Sequence, residues 1–257
     1  MASLTGSAAG ARDRTRLAVL GLLLAVAGVA WVTTAVRMDG MESGPGMYPE
    51  ELGFYASSWV VMMGAMMFPS VWPTVGLYAQ MQRGRREQSL AAPAGATVTF
   101  VGGYLLTWAA AGLVAFALPA AARSLGVDGL MWERGGHWVA AAVIWLAAVY
   151  ELTPLKASCL RHCRSPLGFL VSGWREGRRG ALRMGAGHGS WCVGCCWALM
   201  AALFALGLMS LAWMLVVAVL IAIEKLLPWR AVGTGVVTAA LLGLGFVAAA
   251  APGVFQG

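Results

Sequence analysis

Charge is scarce in this sequence. Of 257 residues only 11% are Asp, Glu, Lys or Arg, whereas 60% are hydrophobic and the mean hydropathy is +0.74. Soluble domains carry about 25% charged residues. The shortage excludes a chain that dissolves by turning a polar surface to water, and it makes a lipid bilayer the expected solvent. Cysteine is sparse as well. There are five, an odd number, and none falls in a segment expected outside the membrane. That argues against a disulfide framework and for reduced thiols. No internal repeat, serine triad, phosphate-binding loop or pair of catalytic carboxylates is present, so hydrolase chemistry and nucleotide-driven transport lack their parts. The net charge of +7 does not point to nucleic acid, because the basic residues sit in short runs between apolar segments, as in Arg83-Gly84-Arg85-Arg86. In a membrane protein such runs report topology.

What the sequence has in quantity is long apolar runs. A membrane-crossing helix needs about 20 such residues. Seven candidates occur: Leu17–Val36, Leu52–Ala79, Ala94–Ala120, Gly136–Leu152, Trp191–Leu208, Leu211–Leu227 and Val232–Ala251. The fifth and sixth are nearly continuous and too long together for one crossing, so a tight helical hairpin turning at Gly207–Ser210 is expected. Pro69 and Pro73 predict a kink or break in the second span. Gly102, Gly103 and Gly112 in the third predict close helix packing. Ala25-Val26-Ala27 resembles a signal-peptidase site, but the apolar run continues to Val36, which favours an uncleaved anchor.

Lysine and arginine placement orients the chain. With the N-terminus inside, fifteen basic residues fall in inner segments: Arg12, Arg14 and Arg16; Arg83, Arg85 and Arg86; Lys156, Arg161, Arg164, Arg175, Arg178, Arg179 and Arg183; Lys225 and Arg230. Only Arg37, Arg123 and Arg134 fall outside. The expectation is an all-α, polytopic transmembrane bundle of about seven helices, N-in and C-out, in a bacterial inner membrane. Residues 1–16 form a cytoplasmic tail, 17–252 a single helical domain containing one long basic cytoplasmic loop at 153–190, and 253–257 a C-terminal tail.

The soft ligands are concentrated at the two ends of that loop. Cys159 and Cys163, one helical turn apart, flank His162. Cys192, Cys195 and Cys196 follow His188, and in a helix the three thiols fall within about 100° of arc. A single cysteine in a helix is commonly a small buried apolar residue. Five confined to two short motifs point instead to a thiolate site for Cu(I), Zn(II) or an iron–sulfur cluster, although the spacings match neither zinc ribbons nor ferredoxins. In the second span, Trp59, Met62, Met63, Met66, Met67 and Ser70 fall within about 140° of arc. A methionine stripe alone is ordinary packing material, yet thioethers are neutral soft ligands suited to Cu(I). Met38, Met41 and Met47 lie in the first outer loop. The order is thioethers outside and across the membrane, thiols only inside. Thioethers resist an oxidising exterior better than free thiols do. Glu151, Lys156, Glu224 and Lys225 stand at the cytoplasmic ends of spans. They are candidates for an ion pair between the fourth and sixth helices, for proton handling, or for interfacial anchoring by a snorkelling Lys225. His137 is a lone histidine at an outer helix end, more often structural than a ligand.

These motifs resemble a family of bacterial predicted metal-binding integral membrane proteins of unknown function, for which copper handling has been suggested. The matching residues are Trp59…Met62-Met63-Gly64-Ala65-Met66-Met67-Phe68-Pro69, Tyr150-Glu151-Leu152-Thr153-Pro154-Leu155-Lys156…Cys159-Leu160…Cys163-Arg164-Ser165-Pro166, and Gly187-His188-Gly189…Cys192-Val193-Gly194-Cys195-Cys196-Trp197. Gly207…Met209, Trp213-Met214 and Glu224-Lys225 also fit, with Ser210 standing where Asn is expected. The resemblance runs from the second span to the sixth and implies a metal role.

Three readings follow. The first is a Cu(I) transporter or chaperone: Met38, Met41 and Met47 capture metal, Met62, Met63, Met66 and Met67 relay it, and Cys159, Cys163, Cys192, Cys195 and Cys196, with His162 or His188, receive it. Its partners are the lipid bilayer, the metal ion and a metal-delivering or metal-receiving protein, with no nucleic acid. The second is a membrane thiol-redox protein using Cys195-Cys196 or Cys159/Cys163. The third is an assembly subunit whose cytoplasmic loop is stapled by Zn(II). An enzymatic role is not the favoured expectation.

Overall fold

The computed structural model of the chain describes residues 2–39, 51–90, 92–124, 136–207 and 210–251. Among the described residues every regular element is helical: α1 (Ala2–Met38), α2 (Leu52–Glu87), α3 (Ala96–Ser124), α4 (Gly136–Glu151), α5 (Pro154–Arg164), α6 (Pro166–Ser172), α7 (Gly177–Leu206), α8 (Leu211–Leu226) and α9 (Arg230–Ala250). Each of the seven runs expected to span falls on one of these helices. Five contain stretches long and apolar enough to cross a membrane: α1, α2, α3, α7 and α9. Helix α4 reaches that test only together with α5, from which it is bent by 67°. Helix α8 has 16 residues, the same length as α4, and falls short of that test.

The segment 153–190 is not a loop. It folds as α5, α6 and the first half of α7, so α7 begins fourteen residues before the expected start at Trp191. The stretch from Gly177 to Ser190 is too basic and glycine-rich to register as a hydrophobic run, but helix formation satisfies its backbone hydrogen bonds. Helix α2 runs through Pro69 and Pro73 without a break. The break between α7 and α8 falls where expected: α7 ends at Leu206, α8 starts at Leu211, and Gly207 takes φ 109°, a backbone conformation that suits glycine.

Helix α7 is the central element, packing along α3, α4 and α5. The α3–α7 approach is backbone on backbone. A Cβ at Gly103 would strike the carbonyl oxygen of Leu182, and one at Gly185 the carbonyl oxygen of Phe100. Gly112 lies under the Trp59 indole, whose Nε1 donates to the Trp108 carbonyl at 2.8 Å. Gly102, by contrast, has open space beside it. Large apolar side chains such as Leu17, Val29, Val36, Val98, Leu106 and Phe246 face outward.

The basic segments meet at one end of the bundle. Arg16 bonds Gln80 at 3.0 Å, Arg83 bonds Thr15 at 3.0 Å, Arg85 pairs with Glu176, and Arg178 reaches the Ala94 carbonyl. Arg164 donates to the Glu224, Leu227 and Pro228 carbonyls and so caps the C-terminal end of α8. Arg37 stands elsewhere, on Ser57 and Ser58 at the start of α2.

Candidate metal centre

The site begins with a local signal at Thr153-Pro154. The Thr153 hydroxyl accepts from the Lys156 backbone N–H at 3.3 Å, and Pro154 occupies the first helical position, where its missing N–H costs nothing. This cap starts α5 in a new direction and carries Cys163 across to α7. There Cys163, Cys192 and Cys195 place their sulfurs within 4.8 Å of one another. The Cys163 and Cys195 sulfurs are 3.5 Å apart, and Cys196 Sγ lies 3.3 Å from that of Cys195. All three α7 cysteines are buried, on the face that their spacing predicts.

Two groups beside Cys192 complete its surroundings. Tyr104 Oη, from α3, lies 3.1 Å from Cys192 Sγ. Lys225 Nζ, from α8, lies 3.0 Å from the same sulfur. Lys225 therefore turns into the bundle rather than snorkelling outward. Its ammonium also reaches Ser70 Oγ at 3.5 Å and Met67 Sδ at 3.9 Å. The methionine stripe is wholly internal, with Met62, Met63, Met66 and Met67 each at most 2% exposed, and its Met67 shares Lys225 with Cys192.

The other candidates stand apart. Cys159 is buried, but its sulfur lies over Gly194, where a Cβ would meet it at 2.9 Å. The His162 ring stacks on Trp191 at 4.0 Å with Nδ1 2.9 Å from the Ser158 carbonyl, and both rings border a cavity of about 450 Å3 between α5, α6 and α7. His188 is buried among Phe100, Tyr104 and Phe169, with Nδ1 lacking a partner. Met38 ends α1, packed against the core; Met41 and Met47 lie outside the described residues. The expected ion pair exists in a different form. Lys156, not Lys225, sits between the carboxylates, 2.7 Å from Glu151 and 2.8 Å from Glu224, all three at most 2% exposed.

Chemically, three clustered sulfurs from two helices form a soft donor set for two- or three-coordinate Cu(I), or for Zn(II) with a fourth ligand. The sequence placed Ser70 on the methionine face but did not single out Tyr104 or the capping role of Arg164. Tyr104 is an isolated polar residue in an apolar helix, and only the packing of α3 against α7 gives it a role.

No curated protein and no solved structure matches the chain. A family described as PpoB2, copper chaperone, does match, over residues 56–248, a stretch that holds the methionine stripe, all five cysteines and Lys225. The chain belongs to this copper-chaperone family.

Proposed function

We propose that the protein is a membrane copper carrier in which the α2 methionines pass Cu(I) to the thiols of α5 and α7. The observation that carries this reading is the convergence of Cys163 with Cys192 and Cys195, because thiols from two separate motifs meet beside the end of a buried thioether stripe. Thioethers hold Cu(I) without adding charge to an apolar interior, and thiolates bind it more strongly, so the ligand order favours movement toward the cysteines. The outward apolar side chains suit a bilayer. The basic segments gathered at one end suit seven spans with the N-terminus and the cysteines on the cytoplasmic side of a bacterial inner membrane. Met38, Met41 and Met47 are the capture residues at the opposite face in this scheme, and a soluble partner delivers or receives the metal.

A thiol-redox reading has one observation in its favour, the 3.3 Å and 3.5 Å sulfur separations around Cys195. Metal content separates the readings. The protein is purified anaerobically in detergent after growth with copper and zinc. Wild type is compared with a Cys192→Ser/Cys195→Ser/Cys196→Ser variant and a Met62→Leu/Met63→Leu/Met66→Leu/Met67→Leu variant. Near-stoichiometric Cu(I), lost in the first variant and reduced in the second, is expected. Zinc that depends on the cysteines alone indicates a structural staple. Absence of metal, with thiols that oxidise reversibly in pairs, replaces the carrier with a redox protein.

A further inference from the structure

Lys225 is in the wrong chemical company for a structural lysine. An ammonium is a compact, strongly hydrated charge that pairs best with carboxylates and water. Among the described residues no carboxylate lies within ion-pair distance of it. Its neighbours are instead Cys192 Sγ at 3.0 Å, Ser70 Oγ at 3.5 Å and Met67 Sδ at 3.9 Å. A cysteine sulfur, a hydroxyl and a thioether make a poorer cage for an ammonium than carboxylates do, and a good one for a soft monovalent metal ion. One residue earlier on the same helix, Glu224 receives the other lysine of the chain, Lys156, in an ordinary carboxylate pairing.

We propose that Met67 and Cys192 share a transfer site for Cu(I), with the Lys225 ammonium standing in for the metal until it arrives. This deepens the copper-carrier reading and rests on it. Both sulfurs touch the same nitrogen, so they lie no more than about 7 Å apart with Nζ in contact with each. An ion leaving the thioether for the thiolate enters the volume that Nζ holds. Two positive charges a few ångströms apart repel strongly in a low-dielectric interior, so the ammonium withdraws. It has a way out: Lys225 lies in the last turn of α8, is only partly buried, and has a flexible four-carbon stem that can carry its head to the bundle end.

The exchange balances. A Cys192 thiolate loses contact with one monovalent cation and bonds another. The Cu–thioether bond breaks as the Cu–thiolate bond forms, no proton is transferred and no electron moves. A divalent ion at the same position leaves one extra positive charge, so the site prefers Cu(I) to Zn(II).

The chain has two lysines, which makes the test direct. Detergent-purified, metal-free protein is treated with an amine-reactive reagent with and without anaerobic Cu(I), and modification at Lys225 and Lys156 is quantified by mass spectrometry. Cu(I) is expected to raise labelling of Lys225 at least threefold while Lys156 stays protected, and Zn(II) is expected not to do so. In Lys225→Met protein, Cu(I)–thiolate absorbance should appear severalfold faster at an affinity within about threefold of wild type. Flat or reduced Lys225 labelling in protein that does bind Cu(I) overturns the proposal, whatever the variant does. So does a tenfold or greater loss of affinity in Lys225→Met, which would make the ammonium a permanent counter-ion of the loaded thiolates. Wild-type protein that binds no Cu(I) at its cysteines fails earlier and overturns the carrier reading with it.

Discussion

Two neighbouring residues of α8 enter two buried clusters of opposite character. Glu224 joins Lys156 and Glu151, a cluster of hard oxygen and nitrogen atoms in which both carboxylates share one ammonium. Lys225 joins Cys192, Met67 and Ser70, a cluster of polarisable sulfur in which the ammonium has no carboxylate. The two also share α5, which supplies Lys156 to the first and Cys163 to the cysteines beside the second. The carboxylate cluster ties the ends of α4, α5 and α8 together, and both carboxylates depend on Lys156 for their compensating charge. The sulfur cluster has donors to spare and a cation that is not committed to a carboxylate. The first has the chemistry of a fastener, the second that of a place where a metal ion comes and goes.

Breaking the fastener gives the largest expected effect. Lys156→Met leaves two carboxylates facing each other without a cation, and removing one partner of a buried ion pair costs about 3–5 kcal/mol. The denaturation midpoint in detergent should fall accordingly. The neutral triple variant Glu151→Gln/Lys156→Met/Glu224→Gln should recover most of the loss, because well-packed neutral groups replace buried charges at little cost. A triple variant no better than the single one would show that the geometry of the cluster, rather than its charge, holds α5 in place. Next in size is Cys192→Ser, expected to lower Cu(I) affinity at least about 100-fold, or about 2.7 kcal/mol, in competition with a Cu(I) chelator. Its denaturation midpoint should barely move. A large stability loss with intact Cu(I) binding would reverse the roles assigned to the two clusters.

Lys225→Met comes third, with an expected stability change of about 1 kcal/mol or less in the same denaturation assay. The contrast with Lys156→Met is the sharpest form of the comparison, because both substitutions remove an internal ammonium. One strands two carboxylates. The other leaves a cysteine, a hydroxyl and a thioether, and the cysteine that loses its ammonium can take up a proton and become a neutral thiol, because an ordinary thiol has a pKa of about 8.5. Equal losses from the two lysines would mean that Lys225 is a fastener too.

The sequence made the two clusters legible to different degrees. The inward face of Cys192, Cys195 and Cys196 follows from helical spacing alone, as does the burial of the α2 methionines, since periodicity is a local property. That Cys163 would meet them, and Cys159 would not, depends on the direction α5 takes after its 67° bend, which hydropathy does not encode. The same bend explains why Glu151 and Glu224 found Lys156 as their partner: α5 turns away from the line of α4 toward α7 and α8 and delivers a lysine that span counting places in a loop. The first half of α7 was missed because a helix rich in glycine and arginine has no hydrophobic signature. Those glycines let α7 press against α3, and Tyr104 reaches Cys192 across that contact.

The smallest expected effect concerns Cys159, which lies in α5 between Lys156 of one cluster and Cys163 of the other. One turn of helix, about 6 Å, separates it from Cys163, and its sulfur rests on the Gly194 backbone rather than among the other thiols. If the sulfur cluster ends at Cys163, Cys159 is a packing residue whose thiol fills the space that glycine leaves. Cys159→Ala should then keep Cu(I) stoichiometry and affinity unchanged within about twofold and cost about 1 kcal/mol for the vacated volume. Gly194→Ala should be worse than Cys159→Ala, because the new methyl meets the sulfur at 2.9 Å. The combined Cys159→Ala/Gly194→Ala variant should recover part of that loss by exchanging one small group for another at the same contact. A Cys159→Ala protein that loses Cu(I) affinity tenfold would instead extend the soft cluster along α5 toward the carboxylates. The boundary between fastener and metal site would then fall at Lys156, three residues from a ligand, and metal binding would be expected to alter the stability of the fastener.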